Sequence, residues 1–409
     1  MVQNATEIVA TPHVHALLEV LVTPEGRADP YPTYAELRRS APVALAPDGV
    51  LVLTRYADCA ALLRHPSCGR ADPDGLFTSL GMPEWREHAG LSQLFSSMLN
   101  INPPDHTRIR RLVSGVFTPR RVAGLQPAIA RLTEDLLSTM SGTVNFVDAF
   151  AFPLPVTVIG ELLGVPAADR PQFQSLVRDW TLLLDVYDDD VLARADAAAI
   201  RIRSYLADLA AERRRHPQPD LMTALVAAES GDERLTEDEL LSTAALLFGA
   251  GFETTTHLLG NALVALLDHP DQLERLRNVP ALGASAVEEF LRFDSSVQLT
   301  GRTALADLDL AGIPVAAGQR VIAYLGAANR DPARFENPDR LDLSRADNVP
   351  LSFGGGIHYC LGAALARLEA QIALPALLQR FPRIALAGPL ERRDSLTLRG
   401  FLTLPVSVD

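Results

Sequence analysis

The sequence predicts a mainly α-helical protein with small β-sheets, folded as one large domain over residues 1–409. Apolar residues recur at spacings of three and four, as at Val122, Leu125 and Ile129, which is the helical period. Strand-like runs are few and short. Neither an internal repeat nor a Gly/Ser linker separates the elements, which favours one domain over two.

The composition argues against several classes of protein. The net charge of −13 disfavours a nonspecific nucleic-acid surface. We expect no membrane anchor, because the sequence has neither a signal peptide nor an uninterrupted apolar run of about 20 residues. The three cysteines, Cys59, Cys68 and Cys360, are odd in number and far apart. They favour a reducing, cytoplasmic compartment over a disulfide framework, and we expect a monomer.

In chain order, the elements begin with an N-terminal extension over 1–29, which we expect to be partly irregular. Helical periodicity follows over 102–117, 122–136 and 195–215. The strand-like runs are GVLVLTRY near residue 50, ADLDLAGIPVAAGQRVIAYLG over 305–325, and the terminal LTLPVSVD. Two stretches without periodicity, 69–90 and 329–350, are longer than ordinary connections, and ordered loops of that length tend to be functional.

One predicted helix is long enough to cross the molecule. A capping box from Thr236 to Glu239 begins it, and Pro270 stops it after His269. About 33 residues at 1.5 Å each give a length of roughly 50 Å. Its middle, GAGFETTT, contains two glycines and three threonines, residues with low helix propensity. This stretch is either a packing notch or a locally opened helix beside a cofactor, with Glu253 and Thr254 placed to pass protons.

Two charged pairs are ambiguous from sequence. Glu289 and Arg292, at i and i+3, make either a common surface pair or, given the apolar residues around them, a buried pair that needs a further partner. His106 and Arg110 lie one helical turn apart. They form either a solvated basic face or a clamp for an anionic ligand group.

Cys360 follows a run of three glycines, Gly354 to Gly356, which indicates a tight turn or a close approach of another group. A zinc site would need more ligands, and His358 is the one ligating residue nearby. A buried structural thiol and a Cys–His nucleophile both remain open. The pattern favours a thiolate at the start of the following helix, where backbone N–H groups stabilise negative sulfur.

Taken together, these motifs resemble the cytochrome P450 family. FGGGIHYCLG is similar to its haem loop FxxGxxxCxG, AGFET to its oxygen-side helix, and EEFLR to its ExxR pair. NPPDHTRIRRLV, ANRDPARFENPDR and LRGFLTLPV resemble further landmarks of the soluble bacterial branch. The resemblance spans residues 30–409 and implies the cytochrome P450 fold, with a long central oxygen-side helix.

The resemblance also implies roles for individual residues. Cys360 would be the iron ligand, with the glycines letting backbone pass close beneath the haem, and Thr254 and Glu253 would be catalytic. The residues implied to hold haem b are His106, Arg110, Ala250, Gly251, Arg302, Phe353, Gly354, His358, Cys360 and Gly362. The implied structural triad is Glu289, Arg292 and Arg340, with Leu341 standing where many relatives have Phe. The implied substrate walls are the loop 85–101, with Leu99, and Leu247, Ala250, Val297, Leu299, Phe401 and Leu402.

The implied activity is that of a monooxygenase, which inserts one atom of O₂ into a small organic molecule by hydroxylation or epoxidation. The substrate would be a bacterial secondary metabolite of the kind found in antibiotic biosynthesis: a polyketide, macrolide, terpenoid or peptide. Electrons would come from a ferredoxin and its reductase. That ferredoxin would dock on a basic patch formed by Arg108, Arg111, Arg120, Arg121 and Arg367. Alternatives are oxidative coupling or ring formation, and a non-catalytic haem-thiolate sensor or carrier, which would not need Glu253 and Thr254.

Overall fold

Helices make up most of the chain in the computed structural model, which describes residues 7–115, 117–185, 187–230 and 233–409. The helices, numbered α1 to α18, are Pro12–Leu21, Pro24–Ala28, Tyr31–Ser40, Tyr56–Arg64, Pro73–Ser79, Ala89–Phe95, Asp105–Ser114, Pro119–Gly124, Gln126–Thr139, Pro153–Leu163, Phe173–Thr181, Asp189–Arg215, Leu221–Val226, Glu237–Asp268, Pro270–Asn278, Gly283–Phe293, Leu325–Ala328 and Ala363–Arg380. Short 3-10 turns link several of them, and a π-helical segment covers Val147–Ala151. This confirms the mainly α-helical fold.

The strands are short and form small sheets. Numbered β1 to β14, they are Val43–Leu45, Leu51–Leu53, Cys68–Gly69, Gly142–Asn145, Glu229–Ser230, Glu233–Arg234, Leu299–Ala304, Leu308–Asp309, Pro314–Val315, Arg320–Tyr324, Ile384–Leu386, Glu391–Arg392, Phe401–Thr403 and Pro405–Val408. The largest sheet has the order β1-β2-β10-β7-β3. Antiparallel pairing places Val321 of β10 opposite Arg302 of β7, and β7 thereby carries Arg302 to the functional site. All three strand-like runs of the sequence are confirmed.

The long helix α14 forms the centre of the molecule. It covers 32 residues, begins with the predicted capping box at Thr236 and Glu239, and ends one residue before His269. At 1.5 Å per residue it is about 48 Å long. Helices α10, α12 and α18 pack against it, so its side chains are buried along most of its length. The functional residues on this helix therefore lie deep inside the protein.

The structure corrects two expectations about local structure and adds detail to a third. Within the N-terminal extension, Pro12–Leu21 and Pro24–Ala28 form α1 and α2, whose N-caps Thr11 and Thr23 each precede a proline. The stretch 69–90 contains α5, capped by Asp72. The helix predicted over 122–136 is divided into α8 and α9 at Leu125.

The hydrophobic core connects distant parts of the chain. One cluster of buried apolar side chains reaches from Phe77 to Val408 and includes residues of α9, α10, α12, α14 and α18. This shared core supports a single domain over 1–409, which stays a prediction. Over the described ranges, no helix is both long enough and apolar enough to cross a membrane.

Candidate functional site

The cysteine loop holds a sulfur atom among backbone donors. The Cys360 N–H donates to the Phe353 carbonyl at 3.0 Å, which closes the loop just before α18. Backbone N–H groups of Gly362 and Ala363 point at the sulfur and lower the pKa of the thiol, as does the Arg110 guanidinium, but burial raises it more. A bound metal ion would reverse that balance, because a coordinating thiol is deprotonated.

The glycine run is explained by the packing of the loop against α4. Gly356 has a φ of 64°, and a Cβ atom there would lie 2.2 Å from the carbonyl oxygen of Leu63. Gly354 also has positive φ, at 71°. A Cβ atom on Gly355 would lie 3.1 Å from the Leu63 side chain. The family resemblance implied glycines that pass close beneath a haem, and the observed contact is with a helix of the protein itself.

Two imidazoles lie beside this loop. The rings of His106 and His358 have centroids 4.2 Å apart. Within the described part of the chain, neither nitrogen of His106 nor Nε2 of His358 has a hydrogen-bond partner. Burial lowers the pKa of His106 to about 4 and that of His358 to about 2. No hydrogen bond between described residues joins Cys360 to either ring, so the geometry gives no support to a Cys–His nucleophile.

Three guanidinium groups complete this basic cluster. Arg110 donates to the Tyr359 carbonyl at 2.8 Å, and Arg302 donates to the Gly301 carbonyl at 2.8 Å. Burial lowers the pKa of Arg302 to about 10 and also lowers that of Arg110. Arg70, which the sequence analysis missed, donates to the same Gly301 carbonyl at 3.1 Å. Its pKa falls well below the usual value because of burial and the nearby Arg302.

We call this group the basic cluster; its members are His106, His358, Arg70, Arg110 and Arg302. So much positive charge requires a negatively charged partner. No ion pair between described residues joins any of its three arginines to a carboxylate. A ligand with two carboxylates, such as the propionates of a haem, would supply the missing charge and the missing hydrogen-bond acceptors. The residues present therefore fit a haem whose iron faces Cys360. Nor do three His, Cys, Asp or Glu side chains of the described segments group together as a metal site.

The middle of α14 offers both a packing notch and an open face. A Cβ atom on Gly251 would lie 2.8 Å from Ile159 of α10, so this glycine permits close helix packing. Ala250 is exposed, and the Thr254 hydroxyl donates to the Ala250 carbonyl at 3.1 Å. The helix continues through this region, so the expected local opening is absent. An alcohol nevertheless lies on the accessible side of the helix.

The acid next to that alcohol is buried and paired. Glu253 forms an ion pair with Arg393, which also donates to the Thr181 hydroxyl at 3.1 Å. Burial raises the pKa of Glu253 more than the Arg393 guanidinium lowers it. A carboxyl group with a raised pKa can hold a proton and release it, which is the property that a proton donor needs.

The expected structural triad needs one correction. Arg292 donates to both carboxylate oxygens of Glu289 at 2.8 Å, and both side chains are fully buried. The second cation at Glu289 is Arg345, whose Nε lies 3.1 Å from Oε2. Arg340 is exposed and contributes its carbonyl, which accepts from Arg292 at 3.2 Å. Asn337 has a φ of 46°, and its carbonyl accepts from Arg345 at 3.3 Å.

The expected substrate walls are only partly brought together. Leu99, Val297, Leu299 and Leu402 are half-buried, Ala250 is exposed, and Leu247 is buried. Phe401 lies in the core, 2% exposed, and its place in the substrate wall stays a prediction. It packs 3.4 Å from the position of a Cβ on Gly260 and beneath the Arg392 guanidinium. Leu398, three residues earlier, forms a bridge with Val297 instead.

A cysteine at a helix start, a basic cluster that lacks carboxylates, and an acid–alcohol pair on a long central helix together define a haem-thiolate enzyme. Comparison with known proteins agrees. The family model of cytochrome P450 matches residues 156–279 and 281–406. The chain belongs to the cytochrome P450 family and is a haem-thiolate monooxygenase.

Individual relatives are bacterial. The chain is 46% identical to cytochrome P450 107B1 of Saccharopolyspora erythraea over 87% of this chain and 88% of that protein. It is 39% identical to 6-deoxyerythronolide B hydroxylase of the same organism, over 93% and 96%. The solved structure of the bacillaene polyketide synthase cytochrome P450 PksS of Bacillus subtilis has a TM-score of 0.84 and 36% identity, over 95% and 99% of the two chains.

Proposed function

We propose that this enzyme hydroxylates or epoxidises a polyketide or macrolide in bacterial secondary metabolism. The observation that carries the reaction type is the placement of Thr254 on the open face of α14, next to the buried acid Glu253. The substrate class rests on similarity to proteins whose names mention 6-deoxyerythronolide B and a polyketide synthase. Terpenoids and peptides are weaker candidates, because neither name mentions them.

The cofactor is proposed to be haem b. Cys360 would bind its iron, and the propionates would take the basic cluster, with Arg70 added to the four expected residues. Phe353, Gly354, Gly362, Ala250 and Gly251 are the further residues that would hold the ring. The bound haem would supply the iron at which O₂ is activated. The thiolate is held by backbone N–H groups whatever the substrate, since these donors belong to the loop itself.

The remaining chemistry belongs to side chains of α14. Glu253 is the acidic group beside Thr254, and burial raises the pKa of its carboxyl group, so it takes up a proton more readily than an exposed glutamate. The Thr254 hydroxyl, fixed by its bond to Ala250, can accept a proton on one side and donate on the other. Leu99, Leu247, Val297, Leu299 and Leu402 would contact the substrate. Electrons would come from a ferredoxin and its reductase in the cytoplasm, where the free cysteines would stay reduced.

Spectra of the purified protein test the cofactor. We expect extractable protoporphyrin IX iron and a red-shifted thiolate-type band in the reduced carbon monoxide complex, with that band lost in Cys360→Ser. A thiolate band that persists in Cys360→Ser would contradict the assignment of the iron ligand.

Isotope labelling tests the reaction. Macrolactones that change the binding spectrum would be turned over under ¹⁸O₂ with a surrogate ferredoxin system. One labelled oxygen atom in the product supports hydroxylation or epoxidation. A product without label supports coupling or ring formation, and binding without any turnover supports a sensor or carrier.

A further inference from the structure

A stripe of buried polar residues runs along one side of α14. Glu253, His257 and Asn261 follow each other at intervals of four residues, so their side chains lie in one row. Each is at most 5% exposed. The neighbouring Leu258, Leu259 and residues 262–266 are apolar. A row of three hydrogen-bonding groups in so apolar a helix requires a reason beyond packing, because burying polar groups costs free energy.

Several atoms on this stripe lack partners. Among the described residues, neither ring nitrogen of His257 makes a hydrogen bond, and the same holds for Oδ1 of Asn261 and Nε of Arg393. Leaving a buried polar group unsatisfied costs about 1–3 kcal/mol. Buried polar atoms without a protein partner are usually satisfied by ordered water. The stripe therefore has the chemistry of a row of water sites that begins beside the Glu253–Arg393 pair.

The far end of the stripe reaches a second polar network. Asn261 donates to the carbonyls of Asp294 at 3.2 Å and of Arg399 at 3.0 Å. The Asp294 carboxylate accepts from the Tyr31 hydroxyl and from Arg399, both at 2.6 Å. Tyr31 is partly exposed. Asn261 therefore lies beside a second polar network that extends to Tyr31, and water would have to bridge the gaps between Asn261, His257 and Glu253.

His257 has the charge state that an ordered water needs. Burial, helped by Arg393 and Arg178, lowers the pKa of His257 to about 3, so the ring is neutral at physiological pH. A neutral imidazole has one donor and one acceptor nitrogen. It can hold a water molecule in place by donating a hydrogen bond to it or accepting one from it, without a change in its own charge. Gly400 lies directly against the ring, since a Cβ atom there would be 2.0 Å from Nδ1.

We propose that water bound along Glu253, His257 and Asn261 forms a proton route to the active site, in which His257 is a positioning residue that holds the water from which Glu253 is reprotonated. Each cycle moves one proton from solvent along this ordered water to the Glu253 carboxylate, after that group has given a proton toward Thr254, and the His257 ring stays neutral throughout. No electrons move in these transfers. The proposal rests on the proposed role of Glu253 as proton donor.

Three variants test the route. His257→Leu removes both ring nitrogens, His257→Asn keeps a hydrogen-bonding side chain at the same position, and Glu253→Gln removes the acid itself. With the best macrolactone as substrate, His257→Leu should raise hydrogen peroxide released per product on the order of fivefold, a fraction of a full acid–base effect. It should also raise the solvent deuterium isotope effect. His257→Asn should stay within about twofold of wild type, since an amide still orders water.

Each outcome has one meaning. If Glu253→Gln uncouples turnover and His257→Leu does not, the route through His257 is wrong and the role of Glu253 stands. If neither variant uncouples turnover, the proposed role of Glu253 as proton donor is wrong, and the route that depends on it is wrong with it. A high-resolution crystal structure of the wild-type holoenzyme is independent of activity and of variant folding. Ordered water bonded to the His257 ring supports the proposal, and ring nitrogens bonded to protein atoms alone overturn it.

Discussion

Glu289 illustrates, at the scale of single residues, how a buried charge is kept stable in this protein. Its carboxylate is fully buried and accepts from Arg292, Arg345 and Asn348, and from the backbone N–H of Asp342. An isolated carboxylate would be very costly at such a depth. These donors join α16 to the loop before the cysteine. The loss of one of them should therefore affect the folding of that loop.

Substituting Arg345 should destabilise the protein far more than substituting Arg340. Arg345→Met leaves Glu289 with a single cation, and breaking a buried pair costs about 3 kcal/mol. Arg340→Met is the matched control, because that side chain is exposed and its carbonyl contact survives. Urea denaturation followed by circular dichroism would measure both. Equal losses would restore Arg340 to the triad.

Glu369 gives a prediction about pH. It is 1% exposed on α18, and burial raises its pKa well above the usual value. Above about pH 4.3 the unfolded chain loses this proton while the folded protein keeps it, so stability falls as pH rises. Glu369→Gln removes that penalty. The variant should be more stable than wild type at pH 7, with the difference vanishing near pH 4. A constant difference from pH 4 to 8 would contradict this.

Sequence reasoning identified most single residues of the site and failed where geometry decides between neighbours. His106, Arg110, Arg302 and His358 do meet in one cluster. Arg70 stayed hidden, because an arginine in an aperiodic stretch carries no signal of what it faces. The choice between Arg340 and Arg345 depends on how the loop that carries both residues folds around Glu289, where Arg345 gives its side chain and Arg340 its carbonyl. Residue spacing does not show such a path of the chain.

At the scale of elements, the loop before Cys360 depends on one glycine more than on the others. Gly356→Ala would combine a strained positive φ with a Cβ atom 2.2 Å from the Leu63 carbonyl of α4. Gly49→Ala is the control, because Gly49 has a φ of 81° but nothing within 4 Å of its Cβ position. The control should lose about 1 kcal/mol of stability through strain alone. Gly356→Ala should lose clearly more and bind less haem, as measured by denaturation and by the Soret absorbance. Equal losses of stability in the two variants would show that α4 shifts to make room for the added Cβ atom.

Long elements were predictable and short ones were not. The capping box and its apolar run located α14 almost to the residue. Helices α1, α2 and α5 have 10, 5 and 7 residues, which is too few turns for a clear period. Their caps, each followed by proline, were the available signal. The break at Leu125 was missed because both α8 and α9 keep apolar spacing across it.

At the scale of the whole molecule, an ion pair changes the expected docking surface for an electron donor. Arg108 of α7 pairs with Glu239, the third residue of α14, and also donates to it at 3.2 Å through its other terminal nitrogen. The same carboxylate also accepts from the backbone N–H of Thr236, the N-cap residue of α14. Arg367 is paired with Glu288. The positive charge of Arg108 and Arg367 is therefore offset inside the structure, and we no longer expect either residue to attract a partner.

A basic surface on the cysteine side can be tested without knowing the substrate. Arg120 is exposed, and Ile357 and Tyr359 of the cysteine loop are 53% and 42% exposed. Charges at the rim of an interface change the association rate and its salt dependence, even when the net charge of the protein is −13. Arg120→Glu should therefore slow reduction by ferredoxin about threefold at low salt and flatten the salt dependence. Stopped-flow formation of the reduced carbon monoxide complex would measure this rate.

Arg108→Ala is the control: it should lower the melting temperature by freeing Glu239, yet keep the salt dependence of wild type. If Arg108→Ala flattened that dependence and Arg120→Glu did not, the donor would approach over α14 and not over the cysteine loop.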